Sequence, residues 1–209
     1  MNPSENILNQ IKFKIAKVSD AEDILSIYSY YTLNTAITFE IETPTLEEFK
    51  NRIEKTLKKY PYIIVVKDKE IIGYAYTGPF VGRAAYNWSL ETTIYIKKNY
   101  LKMGIGKKLY LILENISKAQ GYLNLNACIG YPVKDEDEYV TKNSAQFHEH
   151  MGYKWVGQFE KCGYKFNRWY NMIWMDKVIG EHTDNPKKII PFPELSKEIL
   201  KNIGIEIDE

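Results

Sequence analysis

The stretch that decides the fold is ETTIYIKKNYLKMGIGKKLY, which runs from Glu91 to Tyr110. In an extended chain, Thr92, Ile94 and Ile96 share one side with the preceding Leu90, which is the pattern of a strand with one buried face. The end of the stretch opens an apolar stripe at helical spacing, formed by Leu109, Ile112, Leu113 and Ile116. Gly104 and Gly106 lie between the two patterns. The stretch therefore predicts a strand that passes through a glycine turn into a helix.

The glycine turn predicts a site for a phosphate group. The first N–H groups of a helix have no partner inside it, and the helix dipole adds positive potential there. Glycine lets the backbone approach a phosphate without a Cβ, and Lys102 and Lys107 add charge. A plain tight turn is the alternative. ATP and NAD are disfavoured because Gly106-Lys107 is followed by Lys108 and the third glycine of a dinucleotide motif is missing.

The rest of the chain mixes helix and strand patterns. Two strand patterns flank a polar turn at residues 67–70, and capping-box patterns begin at Ser19 and at Thr45. Two closing strand patterns lie between residues 153 and 178. This order predicts an α+β fold rather than a doubly wound one. We expect one domain over residues 1–178. Residues 179–209, rich in charge and proline, are expected to form a C-terminal extension packed on the domain or on a neighbour.

Composition narrows the class of protein. The net charge of +1 and the scarcity of arginine argue against a nucleic-acid partner. No apolar run is long enough to span a bilayer, so no membrane partner is expected. Cys128 and Cys162 are the only cysteines, they do not form a CxxC pair, and no cluster typical of a metal site is visible. These features predict a cytoplasmic protein with reduced thiols.

Several motifs together resemble a known family. Residues 101–106, LKMGIG, resemble the coenzyme A pyrophosphate loop of GNAT-type N-acetyltransferases, Gln/Arg-x-x-Gly-x-Gly/Ala, and depart from it at Leu101. Four blocks resemble the phosphinothricin N-acetyltransferases: AYTGPFVGRAAYNWSLETTIYI at 75–96, NTAITFE at 34–40, NSAQFHEHMGY at 143–153 and CGYKFNRWYNMIWM at 162–175. The resemblance covers residues 13–177 in order. It implies a GNAT-type sheet, mixed but mostly antiparallel, flanked by helices, with acetyl-CoA as cosubstrate.

The resemblance also implies where acetyl-CoA binds. The pyrophosphate is expected over the glycine turn, at Lys102, Met103, Gly104, Ile105, Gly106 and Lys107. The backbone of the preceding strand is expected to line the acetyl and pantetheine arm, at Ile94, Tyr95 and Ile96. Asn143 is expected to contact the coenzyme in place of Thr141, which stands where the family has asparagine.

Acetyl transfer to nitrogen needs a neutral amine, and a free α-amine with a pKa of about 8 is largely protonated at neutral pH. A nearby carboxylate can take that proton. The resemblance gives this role to Glu91, and it makes His148 a base, an acid or an anchor for the substrate. From their sequence positions alone, an exposed strand glutamate and a surface helical histidine are the alternatives.

The acceptor site is expected to contain Phe39, Arg83 and Tyr86, with Arg83 pairing to an acidic group. Val81 stands where the family commonly has a basic residue. The expected acceptor is a small amino acid such as phosphinothricin, methionine sulfone or methionine sulfoximine. Other acceptors remain open, namely an aminoglycoside, a polyamine or a protein N-terminus, as does a non-catalytic CoA-binding module.

The C-terminal extension carries an apolar pattern at Leu195, Ile199 and Leu200. Such a segment usually packs against another surface. Because the family tends to pair, we expect a second subunit there and hence a homodimer.

Overall fold

One open sheet of seven strands organises the computed structural model, which describes residues 7–207. The strands are β1 (Ile11–Ile15), β2 (Tyr62–Lys67), β3 (Glu70–Pro79), β4 (Ser89–Ile96), β5 (Asn124–Tyr131), β6 (Lys154–Lys165) and β7 (Arg168–Val178). Their order is β1-β2-β3-β4-β5-β7-β6. Every neighbouring pair is antiparallel except β4 and β5. The predicted α+β class and the mostly antiparallel sheet are confirmed.

Five α-helices that lie wholly within the described residues cover the sheet: α1 (Ala21–Asn34), α2 (Leu46–Leu57), α3 (Ile105–Gln120), α4 (Asn143–His150) and α5 (Lys197–Ile203). Helices α1 and α2 bury their apolar residues against one face of β2 and β3. Helices α3 and α5 bury theirs against the opposite face. Within residues 7–207, no helix is long and apolar enough to cross a membrane.

The two capping patterns of the sequence have different outcomes. Thr45 and Glu48 form the predicted box: the Glu48 N–H donates to Thr45 Oγ1 at 3.2 Å and the Thr45 N–H to the Glu48 carboxylate at 2.8 Å. The similar spacing at residues 19–22 does not form a box. There a short 3₁₀ turn precedes α1, and the carboxylate of Asp20 accepts from the Lys17 N–H at 2.7 Å.

Strands β4 and β5 pair only at their beginnings, where residues 89–91 lie beside residues 124–126. Beyond Glu91 the two strands separate, and we call this opening the fork. Side chains hold its closed end: Asn126 Nδ2 donates to the Leu90 carbonyl at 3.0 Å and Thr92 Oγ1 to the Asn126 carbonyl at 3.1 Å. The fork leaves backbone groups of both strands available inside the sheet.

The C-terminal segment packs on its own chain. Phe192, Leu195 and Leu200 are buried in the core that α3 and β2 share. The Glu206 N–H donates to the carbonyl of Phe13 in β1 at 2.8 Å. The segment therefore needs no second subunit to bury these residues. The domain bounds stay a prediction, and their outermost parts, residues 1–6 and 208–209, lie outside the described residues.

Candidate active site

A cavity of about 540 Å³ opens beside the fork, on the face of the sheet that α1 and α2 cover. Its wall includes residues from β4, β5, α4 and the segment after α1, among them Glu91, Thr93, Ile94, Cys128, His148 and Phe39. The fold thus brings together both predicted catalytic residues and one predicted acceptor residue.

Glu91 is the last residue of β4 that pairs with β5, so it lies at the closed end of the fork. Its half-buried carboxylate forms no hydrogen bond or ion pair with any other residue that the structure describes. Burial raises the pKa of this carboxyl group above its ordinary value. A carboxylate without a partner and with a raised pKa is suited to accept a proton from a ligand in the cavity.

His148 is 3% exposed, and both of its ring nitrogens are occupied. Nδ1 lies 2.7 Å from the Ser144 carbonyl oxygen, which can only accept, so Nδ1 carries the proton. Nε2 therefore accepts from the Tyr110 hydroxyl at 2.9 Å. Burial lowers the pKa of His148 to about 4, so the ring is neutral at physiological pH. The arrangement suits a residue that orients Tyr110.

Tyr110 is a residue of this wall to which the sequence assigned no role. Its hydroxyl lies 3.3 Å from Thr92 Oγ1 as well as next to His148. Burial raises the pKa of Tyr110, so the phenol stays protonated and can donate. In the sequence, Tyr110 falls on the apolar stripe of α3. The sequence feature that could have pointed to Tyr110 is a phenol within that apolar stripe, one helical turn beyond the glycine turn.

The backbone of β4 divides its N–H groups between its two neighbours. Lys97 N donates to the Ile72 carbonyl, and the antiparallel register is regular from there back to Glu91. Because N–H directions alternate along a strand, the N–H of Tyr95 points toward β3, whereas those of Ile94 and Ile96 point toward the fork. Ile94 and Ile96 can therefore offer backbone donors there, while the Tyr95 side chain lines the cavity.

The glycine turn lies where β4 leads into α3. Gly104 has a φ of +81° and caps the helix, and its carbonyl accepts from the Lys108 N–H at 3.2 Å. The N–H groups of the first helical turn, from Ile105 to Lys107, are left without intrahelical partners. Gly106 lies beside Ile96: a Cβ at residue 106 would be 3.5 Å from that side chain. The turn thus adjoins the fork and fits a pyrophosphate group.

The charged and polar side chains around the glycine turn face solvent. Lys102 and Lys107 are exposed, and neither forms an ion pair within residues 7–207. Met103 is half-buried. Asn143 is exposed as the first residue of α4 and does not line the cavity.

The predicted acceptor residues are not all together. Phe39 lines the cavity, and its ring lies against Gly163 of β6, where a Cβ would overlap the ring. Arg83 and Tyr86 are exposed in the connection from β3 to β4 and do not line the cavity of this chain. Tyr86 instead packs edge-on against Phe80, with ring centroids 5.5 Å apart.

Several known proteins are similar to this chain in fold and in sequence. Residues 13–174 match the family model of the acetyltransferase (GNAT) domain. A phosphinothricin N-acetyltransferase of Streptomyces coelicolor is 30% identical over 77% of this chain and 91% of its own. The L-methionine sulfoximine/L-methionine sulfone acetyltransferase of Salmonella typhimurium is 24% identical over 81% and 95%. The crystal structure of a phosphinothricin acetyltransferase from Sinorhizobium meliloti with acetyl-CoA has a TM-score of 0.78 and 27% identity, covering 88% of this chain and 97% of that one.

Proposed function

The chain belongs to the GNAT family of acetyltransferases, and from this premise we propose that its acceptor is the amine of a small amino acid. As a member of the family it is an N-acetyltransferase, and acetyl-CoA is its cosubstrate. Two relatives support the acceptor class, because one is named for phosphinothricin and the other for methionine sulfoximine and sulfone. These acceptors are amino acids whose side chains end in oxygen-bearing groups.

The observation that carries the proposal is the unpaired carboxylate of Glu91 at the closed end of the fork. Bound acetyl-CoA would supply an activated thioester carbonyl. Glu91 would take the proton of the acceptor ammonium group, directly or through one water. The free amine would then lie on the α1–α2 side of the fork, because the Glu91 side chain lines the cavity there.

Other residues of the site would hold and polarise the reactants. The N–H groups of Ile94 and Ile96 would donate hydrogen bonds inside the fork. The glycine turn, from Lys102 to Lys107, would bind the pyrophosphate mainly through backbone N–H groups. Asn143 is proposed as a further coenzyme contact at the start of α4. Tyr110, whose hydroxyl proton goes to His148 Nε2, would offer its hydroxyl oxygen as a hydrogen-bond acceptor at the same wall.

The three proposed acceptor contacts rest on different kinds of evidence. Phe39 has the support of its place in the cavity wall. Arg83 and Tyr86 rest on the family resemblance alone.

A panel of amines tests the proposal. Each amine is incubated with acetyl-CoA and the purified chain, and free thiol is measured. We expect release with methionine sulfone, methionine sulfoximine and phosphinothricin, and none with their N-acetyl derivatives, which lack a free amine. Release with polyamines or aminoglycosides but with none of the amino acids would contradict the acceptor class. That result would still be consistent with acetyltransferase activity.

We also propose a cytoplasmic location and a homodimer. Both cysteines are free, which suits a reducing compartment.

Edge strand β6 exposes Trp155, Val156 and Phe159, and such an apolar edge suits contact with a second copy of the chain. Light scattering of the full chain tests the dimer. A monomer mass would remove it.

A further inference from the structure

We propose that a tyrosine recess beyond Glu91 binds the side-chain tip of the acceptor, and that this tip carries oxygen atoms that accept hydrogen bonds. The recess is the part of the cavity lined by Tyr62, Tyr74, Tyr76 and Arg52. The inference rests on the proposed function, because it assumes that the amine is held at Glu91. It adds a binding site formed by β2, β3 and α2, away from Arg83.

Strand register places the recess on the same face of the sheet as Glu91. Tyr76 and Tyr74 of β3 pair with Thr93 and Tyr95 of β4. Since every second residue of a strand shares a face, both tyrosines project to the side of Glu91. Tyr62 of β2 pairs with Tyr76 and continues the row. Neighbouring strands lie about 4.8 Å apart, so the recess reaches roughly 10 Å from β4. That distance suits an amino acid with its amine at Glu91 and its side chain extended.

Two hydroxyl groups in the recess have no partner among residues 7–207. Tyr62 is 2% exposed and Tyr74 is 1% exposed, and neither hydroxyl forms a hydrogen bond within the described part of the chain. They differ from the hydroxyls of Tyr122 and Tyr170, which are sealed in the core without partners. Tyr62 and Tyr74 line the cavity, so a ligand can reach them.

Both phenols are available as donors. Burial raises the pKa of Tyr62 and of Tyr74, so each keeps its proton at neutral pH. A buried donor without a partner is unfavourable, and a ligand oxygen that accepts from it gains the hydrogen bond.

The charges at the recess also favour a ligand whose side-chain tip accepts hydrogen bonds. Arg52 lies at its wall with its guanidinium group 2.8 Å from the carboxylate of Glu40. Lys55, on the same helix, also lines the cavity and makes no ion pair with any residue from 7 to 207. Among the described residues, two carboxylates line the cavity: Glu91, which the proposed function assigns to the amine, and Glu40, which is already paired with Arg52. Within the described part of the chain, the recess groups without partners are Tyr62, Tyr74 and Lys55, which are donors or cations. They suit a sulfone, phosphinate or carboxylate tip rather than an amine.

The test compares two acceptors that differ in the oxygens of the tip. L-Methionine sulfone carries them, and L-norleucine has a similar length without them. In Tyr62→Phe and Tyr74→Phe, which remove only a hydroxyl, we expect KM for the sulfone to rise roughly 2- to 13-fold. KM for norleucine and for acetyl-CoA should stay unchanged. Tyr122→Phe, which removes an unpartnered buried hydroxyl outside the cavity, should change none of the three values.

Several results would overturn the proposal that the recess binds the acceptor tip. Equal rises in KM for both acceptors would mean that the hydroxyls only support packing. An unchanged sulfone KM in both variants would place the tip elsewhere. A preference for diamines that Glu40→Gln abolishes would make it a site for cations. If the wild-type chain acetylates no amine, the proposed function fails. Calorimetry then still tests the recess, which predicts that the wild-type chain binds methionine sulfone more tightly than Tyr62→Phe does.

Discussion

The two sides of β4 are built in different ways. On the proposed coenzyme side, the donors would be backbone N–H groups of one continuous stretch, Ile94 to Lys107, which contains the glycine turn. On the proposed acceptor side, the cavity wall consists of side chains from several strands, helices and connections, brought together by the sheet. The first side depends on local sequence, whereas the second depends on tertiary packing. Substitutions on the two sides should therefore have separable effects.

Glu91 joins the two sides, so its substitution should have the largest effect on rate. Glu91→Gln keeps the shape and removes the proton acceptor, and turnover should fall about 10²- to 10⁴-fold. The dissociation constant of acetyl-CoA should stay unchanged, because no coenzyme contact is lost. Glu22→Gln, at an exposed position of α1, is the control for handling and folding. A turnover within a few-fold of wild type would move the base role away from Glu91.

The same variant should be at least as stable as the wild type at neutral pH. Burial raises the pKa of Glu91 in the folded state, so the ionised carboxylate costs stability above that pKa. As pH falls through the raised pKa, the carboxyl group is protonated in the folded state and the cost disappears. The melting temperature of Glu91→Gln should exceed that of the wild type at pH 7 to 8, and the difference should shrink toward about pH 4. A lower melting temperature at neutral pH would contradict this.

Two glycines with left-handed backbones, Gly104 in the glycine turn and Gly204 at the end of α5, distinguish the effect of backbone strain from that of lost coenzyme binding. Gly104 and Gly204 have φ values of +81° and +103°. Valine at either position should cost about 1–2 kcal/mol of stability. Only Gly104→Val should also weaken acetyl-CoA binding, roughly 10- to 100-fold, because hydrogen bonds to a charged group are lost. Calorimetry and thermal melts measure both. Equal coenzyme affinity in folded Gly104→Val would contradict the pyrophosphate site.

On the acceptor side, Gly163 should set the position of Phe39. A Cβ at residue 163 would overlap the Phe39 ring, whereas a Cβ at Gly157, in the same strand, would meet nothing within 4 Å. Gly163→Ala should raise the acceptor KM roughly 5-fold or more, because overpacking displaces the ring. The KM of acetyl-CoA should stay unchanged, and Gly157→Ala should behave as wild type. If Gly163→Ala raised the KM of acetyl-CoA as much as the KM of the acceptor, the effects on the two sides of β4 would not be separable.

This division also explains what the sequence could predict. The strand, the glycine turn and α3 follow from residues close together in the chain, so the α+β fold and the helix start were predictable. The partners of His148 were not, since Tyr110 lies on another helix and reads as part of an apolar stripe. The distance of Arg83 from the cavity was likewise hidden, because its sequence block does not reveal which way the connection faces.

The smallest effect is expected at His148, where the structure indicates orientation of Tyr110 rather than proton transfer to the substrate. His148→Gln should lower turnover less than 10-fold, well below the loss of about 10²-fold or more typical of an acid–base residue. The pH profile of the wild type between about pH 5 and 8 should not report this histidine, because burial lowers its pKa to about 4.

Stability should reveal the His148 titration instead. Its folded pKa lies below its unfolded value of about 6.5, so the stability that it contributes is present above about pH 6.5 and is lost as pH falls toward 4. Thermal melts from pH 7 to 4.5 should therefore fall less steeply for His148→Gln than for the wild type. NMR of the wild-type imidazole should show a neutral ring with the proton on Nδ1 throughout the range in which the enzyme is active. A His148 pKa near 6.5 with a matching inflection in turnover would restore it as an acid or base, and would place a proton-transfer residue on α4.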